Sequence, residues 1–86
     1  MRIETASDGQ TVVLRLIGRI ESMYLDELQA EVRKHRPPLV LDLDQVTLVN
    51  QRAVRFLMAC EAKGIEVVHC APYIREWMTR DRGREE

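Results

Sequence analysis

The chain has 86 residues, is 45% hydrophobic and 31% charged, and carries a net charge of -1. That is room and composition for one small globular domain, not a disordered segment. Near-neutral charge speaks against nucleic acid as the main partner, since counterion release needs a concentrated basic face. No apolar run approaches the roughly 18 residues of a membrane span, and residues 1–5 hold no signal core, so a cytoplasmic protein without membrane insertion is expected. A core this small is marginal, and a homodimer or a docked partner would support it.

In chain order, residues 2–6 and 11–17 are short extended runs joined through Ser7-Asp8-Gly9-Gln10. Asp-Gly is a hairpin signal because glycine accepts positive φ. Val12, Leu14 and Leu16 alternate with Val13, Arg15 and Ile17; both sets are largely apolar, so a strand covered on both faces is expected. A helix follows Gly18, with Ser22 as its expected cap, Met23 and Tyr24 widening the stripe of Leu25, Leu28 and Val32, and Pro37-Pro38 as its stop. Leu39, Val40, Leu41 and Leu43 form a buried strand. Asp42 and Asp44 share strand parity opposite Leu41 and Leu43, and are expected to be solvated. Asn50 caps the next helix, striped by Ala53, Phe56, Leu57 and Cys60 and ended by Gly64. Residues 65–70 form a last strand. Pro72 opens a last helix with Ile74, Trp77 and Met78 on one face. Residues 1–80 form the domain, and residues 81–86 are expected to be a solvated charged tail. The order β-β-α-β-α-β-α defines an α/β fold with a mixed, mostly parallel four-stranded sheet.

Chemistry for an enzyme is sparse. The four glycines are isolated, at 9, 18, 64 and 83, so there is no phosphate loop, and neither Ser7 nor Ser22 sits in a nucleophile elbow. Cys60 and Cys70 are expected to be reduced thiols, and His69-Cys70 supplies too few ligands for a metal. No catalytic residue, cofactor or metal is assigned. Arg52 and Arg55 are three residues apart at a helix start, where the macrodipole disfavours cations. Two readings stand open. The pair, with helix N–H groups, forms an anion site; or its stems cover apolar surface and Asp42, Asp44 or Glu21 neutralises it.

Three segments carry a family likeness: Leu16-Ile17-Gly18-Arg19-Ile20-Glu21, the run from Leu39-Val40-Leu41-Asp42-Leu43-Asp44 through Val49-Asn50, and Lys63-Gly64-Ile65-Glu66-Val67-Val68. In order and spacing they resemble the STAS domain, found in bacterial anti-sigma factor antagonists and at the cytoplasmic ends of sulfate transporters. The resemblance implies a non-catalytic protein-interaction module whose partner is an anti-sigma-factor-like kinase or another regulatory protein. Alternatives are an accessory subunit on the ATPase of an ABC lipid transporter, or a small-anion or nucleotide-binding module. In the family, the strand leads to D-S-S-G or D-S-T-G, where a serine or threonine is phosphorylated. Here that stretch is Asn50-Gln51-Arg52-Ala53, with no hydroxyl, so a module without the usual phospho-switch is expected. Asn50, Gln51, Arg52, Ala53 and Arg55 are the expected partner-binding residues, and Arg52 and Arg55 the candidate anion ligands. The resemblance also implies a further strand and helix, so this fold is expected to be shortened at its C-terminus.

Overall fold

The structure is a computed structural model describing residues 1–35 and 38–84, the last three of these as backbone only. Its elements are β1 (Arg2–Ser7), β2 (Val12–Ile20), α1 (Ser22–Lys34), β3 (Leu39–Val49), α2 (Gln51–Ala62), β4 (Glu66–Val68) and α3 (Pro72–Arg84). The strands lie in the order β1-β2-β3-β4. The β1–β2 hairpin is antiparallel, and β2–β3 and β3–β4 are parallel. At the hairpin, Asp8 Oδ1 accepts the N–H groups of Gln10 at 3.0 Å and Thr11 at 2.8 Å. Gly9 takes the positive φ of 94° that the turn requires.

Both crossovers step the same way along the sheet, so a common handedness puts α1 and α2 on one face. The core confirms this. Leu28 of α1, Ala53, Val54 and Leu57 of α2, and Ile74 and Met78 of α3 join Leu14, Leu16, Leu41 and Val67 in one cluster. Arg75 fixes α3 further: Nη1 donates to both Glu61 carboxylate oxygens at 2.9 Å. Cys60 and Cys70 are free thiols. Burial pushes the Cys60 thiol up to about 11, so it is a protonated core side chain at neutral pH.

Several sequence expectations need correction. The second strand is not covered on both faces: Arg15 is exposed and Val13 and Ile17 only half-buried, because all three helices occupy the Leu14–Leu16 side. Ser22 does not cap α1; Glu21 holds that position and makes no side-chain cap bond. Met23 does not widen the apolar stripe but is 74% exposed. Of the two expected stop residues, Pro37 lies outside the described residues. The third strand continues past Leu43 to Val49. The expected tail at residue 81 is instead helix through Arg84, and Asp81 is only 4% exposed.

Asp42 also departs from expectation. Its side chain lies on the helix-free face yet is 7% exposed overall. The β2–β3 register passes from Arg15↔Asp42 to Ile17↔Gln45, so β3 carries an extra residue there. The parity argument for a regular strand fails at this bulge. Asp42 Oδ1 accepts the bulge N–H of Asp44 at 3.0 Å and lies 3.0 Å from His69 Nδ1. Burial opposes ionisation, but the Asp44 N–H, His69 and Arg15 outweigh it and hold the carboxyl below the ordinary value.

Candidate functional site

The site lies where β3 runs out of a neighbour. β4 pairs with β3 only at Val40, Leu41 and Asp42. Directly after β4, His69 turns the chain away with φ 54°, a left-handed conformation that costs a non-glycine residue energy and that the Asp42 contact helps hold. The far half of β3 therefore keeps β2 on one side and has no strand on the other. Tyr73, in the first turn of α3, reaches back and donates its hydroxyl to the Thr47 carbonyl at 3.2 Å. This brings the start of α3 beside Thr47 and Leu48.

The starts of α1 and α2 meet at the same end. Asn50 Oδ1 accepts the Ala53 N–H at 2.9 Å, the capping bond expected from sequence. Its Nδ2 donates to Ser22 Oγ at 3.0 Å. Asn50 thus caps one helix and ties it to the first residue of another. Ser22, expected as a cap, serves as the acceptor of that tie.

Met23 is 74% exposed, Leu48 50% and Tyr73 46%. They are the exposed large hydrophobic residues among those described. One belongs to each of α1, β3 and α3: Met23 follows Ser22, which Asn50 bonds, and Leu48 follows Thr47, whose carbonyl Tyr73 bonds. Scattered exposed apolar side chains need no explanation, but Leu48 and Tyr73 are brought side by side by the Thr47 bond.

The sequence-predicted residues separate into three kinds here. Gln51 and Arg52 are exposed, and Arg52 makes no hydrogen bond or ion pair among the described residues. Ala53 is fully buried and offers the site only its backbone, already used by Asn50. Arg55 is engaged: its Nε lies 3.5 Å from Asp81 Oδ2. The expected neutralisers, Asp42, Asp44 and Glu21, are not the partners. Asp42 faces Arg15 and His69, and Glu21 faces Arg19 at 4.0 Å. Asp81 was hidden because α3 brings it to α2 from 26 residues away, and no sequence spacing signals that. Tyr73 and Leu48 were missed for a similar reason: exposure depended on β4 stopping after three residues. Among the described residues, no group of three or more His, Cys, Asp or Glu side chains could hold a metal. No helix among them is long and apolar enough to cross a membrane.

Element order, sheet topology and helix placement define this chain as having the STAS fold. Among solved structures it is similar to the anti-sigma factor antagonist SpoIIAA in its unphosphorylated form, with a TM-score of 0.66 over 87% of this chain and 79% of that one. The two sequences are 14% identical, so the likeness is one of fold. No protein-family model matches the sequence. No curated protein matches it either.

Proposed function

We propose that this protein is a non-catalytic docking module, and that a protein partner binds at the end of β3. The observation that carries this is the exposure of Leu48 and Tyr73 where Tyr73 bonds the Thr47 carbonyl, just before the Asn50-capped start of α2, whose exposed Arg52 is unpaired among the described residues. Covering Leu48 and Tyr73 would contribute about 1 kcal/mol each before ordering costs. Arg52 would add orientation and charge selection more than affinity. Gln51 and Arg52 make the contacts from α2, Asn50 holds the geometry, and Ala53 and Arg55 act from behind by packing and by pairing with α3.

The fold of an anti-sigma factor antagonist supports a regulatory partner, either an anti-sigma-factor-like kinase or the ATPase of a transporter. Asn50-Gln51-Arg52-Ala53 has no hydroxyl to phosphorylate, so docking here is not switched by that modification. The test is affinity capture with the wild-type chain and a Leu48→Asp/Arg52→Glu variant. Loss of the same specific prey, with the circular dichroism spectrum and melting unchanged, is expected. Retention of every prey would remove this surface from consideration. Arg55 is left intact in this variant, because its Asp81 contact would mix a folding defect with a binding one.

A further inference from the structure

A second site lies on the opposite edge of the sheet. Three stretches of strand lack a neighbour on one side: the far half of β3, β4 and β1. Side chains of α3 contact two of them. Tyr73 donates to the Thr47 carbonyl of β3 at 3.2 Å, and Arg75 Nη2 donates to the Val67 carbonyl of β4 at 3.4 Å. Such contacts help keep an open edge from pairing with another chain. Among the described residues, no hydrogen bond beyond those to β2 reaches the backbone of β1, although β1 is six residues long.

The helix-free face gives this edge a charge pattern. The strand register sets Asp42 beside Arg15 and Arg15 beside Glu4, with charged atoms 3.8 Å and 3.9 Å apart. Charge therefore alternates across three strands and stops at the edge on a carboxylate. Arg2 stands two residues before Glu4 on the same face and reaches it at 2.9 Å. On the other face, Ile3 is half-buried against the core.

We propose that β1 pairs with β1 of a second copy of this chain, antiparallel about a twofold axis at Ile3, so that the two four-stranded sheets run on as one. A twofold perpendicular to the sheet keeps every side chain on its own face, so the axis must pass through a residue rather than between two. Centring on Arg2 or on Glu4 sets like charges directly opposite, which is repulsive. Centring on Thr5 sets Glu4 opposite Ala6 and gives it no cation. Centring on Ile3 sets Arg2 of each chain opposite Glu4 of the other. The alternation then continues through the edge as Asp42, Arg15, Glu4 and the second copy's Arg2, and Ile3 meets its own copy on the core side. Charged edge residues ordinarily hold strands apart; here Arg2-Ile3-Glu4 is complementary to itself. The Arg2–Glu4 pair within each strand is exposed, and it is shared in the dimer rather than broken. Residues 48–55 take no part, so this interface does not rest on the strand-end surface.

A pairing of about five residues a side is small, so sedimentation velocity should show a dimer forming near ~100 µM. Glu4→Arg leaves four cations at the junction and should weaken self-association at least about tenfold. Arg2→Glu leaves four carboxylates there and should do the same. Mixed in equal amounts, these two variants should associate with each other within about threefold of the wild-type affinity. The two side chains are 74% and 41% exposed, so the variants remain folded. Ile3→Cys should form an intermolecular disulfide on mild oxidation, because directly opposed residues have Cα atoms about 5 Å apart. Thr5→Cys should not, its two copies being about 13 Å apart in this register. The unmodified chain, with its free Cys60 and Cys70, is the control. A monomer at ~500 µM, unchanged association of Glu4→Arg, no recovery on mixing, or crosslinking through Thr5→Cys in preference to Ile3→Cys would each overturn the proposal. Leu48→Asp/Arg52→Glu should leave dimer formation intact, which separates failure here from failure of the strand-end surface.

Discussion

Residues 39–43 and residues 44–49 belong to the same strand but have different surroundings. In the first half Leu39, Leu41, Asp42 and Leu43 are buried, flanked by β2 and β4 and roofed by the helices. In the second half Asp44, Gln45, Thr47 and Leu48 are exposed, with β2 alone alongside. The difference comes from the neighbours, not from composition. β4 is three residues long because His69 leaves the extended conformation, and α3 then starts beside the uncovered edge. A strand paired on both sides makes a core, while one paired on one side presents its backbone and side chains to a partner. Here Tyr73 blunts that edge by occupying the Thr47 carbonyl.

Substitutions can break this contrast. Leu41→Ala, at a fully buried position, should cost about 2–5 kcal/mol in chemical denaturation. Leu48→Ala should stay within about 0.5 kcal/mol. Comparable losses at the two positions would mean that the halves are not distinct.

Asp42 lies at the boundary, and its replacement should rank next. Asp42→Ala strands the Asp44 N–H and removes the His69 and Arg15 contacts, at about 1–3 kcal/mol. The pH dependence has a definite sign. The folded carboxyl sits below its ordinary value of 3.8, so its stabilisation is present above that pH and is lost as pH falls through the lower folded value. Asp42→Asn should therefore flatten the acid limb of the stability curve. An unaltered slope between the two proteins would refute the assignment.

At the junction, Asn50→Ala should cost about 1 kcal/mol through loss of the α2 cap. Asn50→Asp keeps the cap acceptor but not the donor to Ser22, and should recover most of that loss. If both variants lose the same amount, the tie to α1 outweighs the cap. The smallest effect is expected at Arg52. Arg52→Ala should change the melting temperature little, because the side chain is exposed and engages nothing among the described residues. A large destabilisation would show that its role is structural rather than interfacial.

Much of this fold was legible in the chain. Asp8-Gly9 marked the hairpin, Asn50 the cap, Gly64 the end of α2, and the spacing of Ala53, Leu57 and Cys60 its buried face. These are local signals, set by the φ that glycine permits, the reach of an amide side chain and the 3.6-residue period. The motif order of the STAS resemblance likewise agreed with the observed topology and with the SpoIIAA fold. The site was only half legible. Arg52 could be named from its misplaced charge, but the same argument paired it with Arg55, which is drawn instead to Asp81.

What the sequence determined by itself was therefore the element order and the inward faces, because these follow from periodicity and turn chemistry within a few residues. Tertiary structure alone decided that Asp42 is buried at a bulge, that His69 stops β4, and that Asp81 meets Arg55. It also decided that Tyr73 reaches the Thr47 carbonyl and stands beside Leu48. Each depends on residues brought together from distant segments by sheet register and helix packing, which no local spacing encodes.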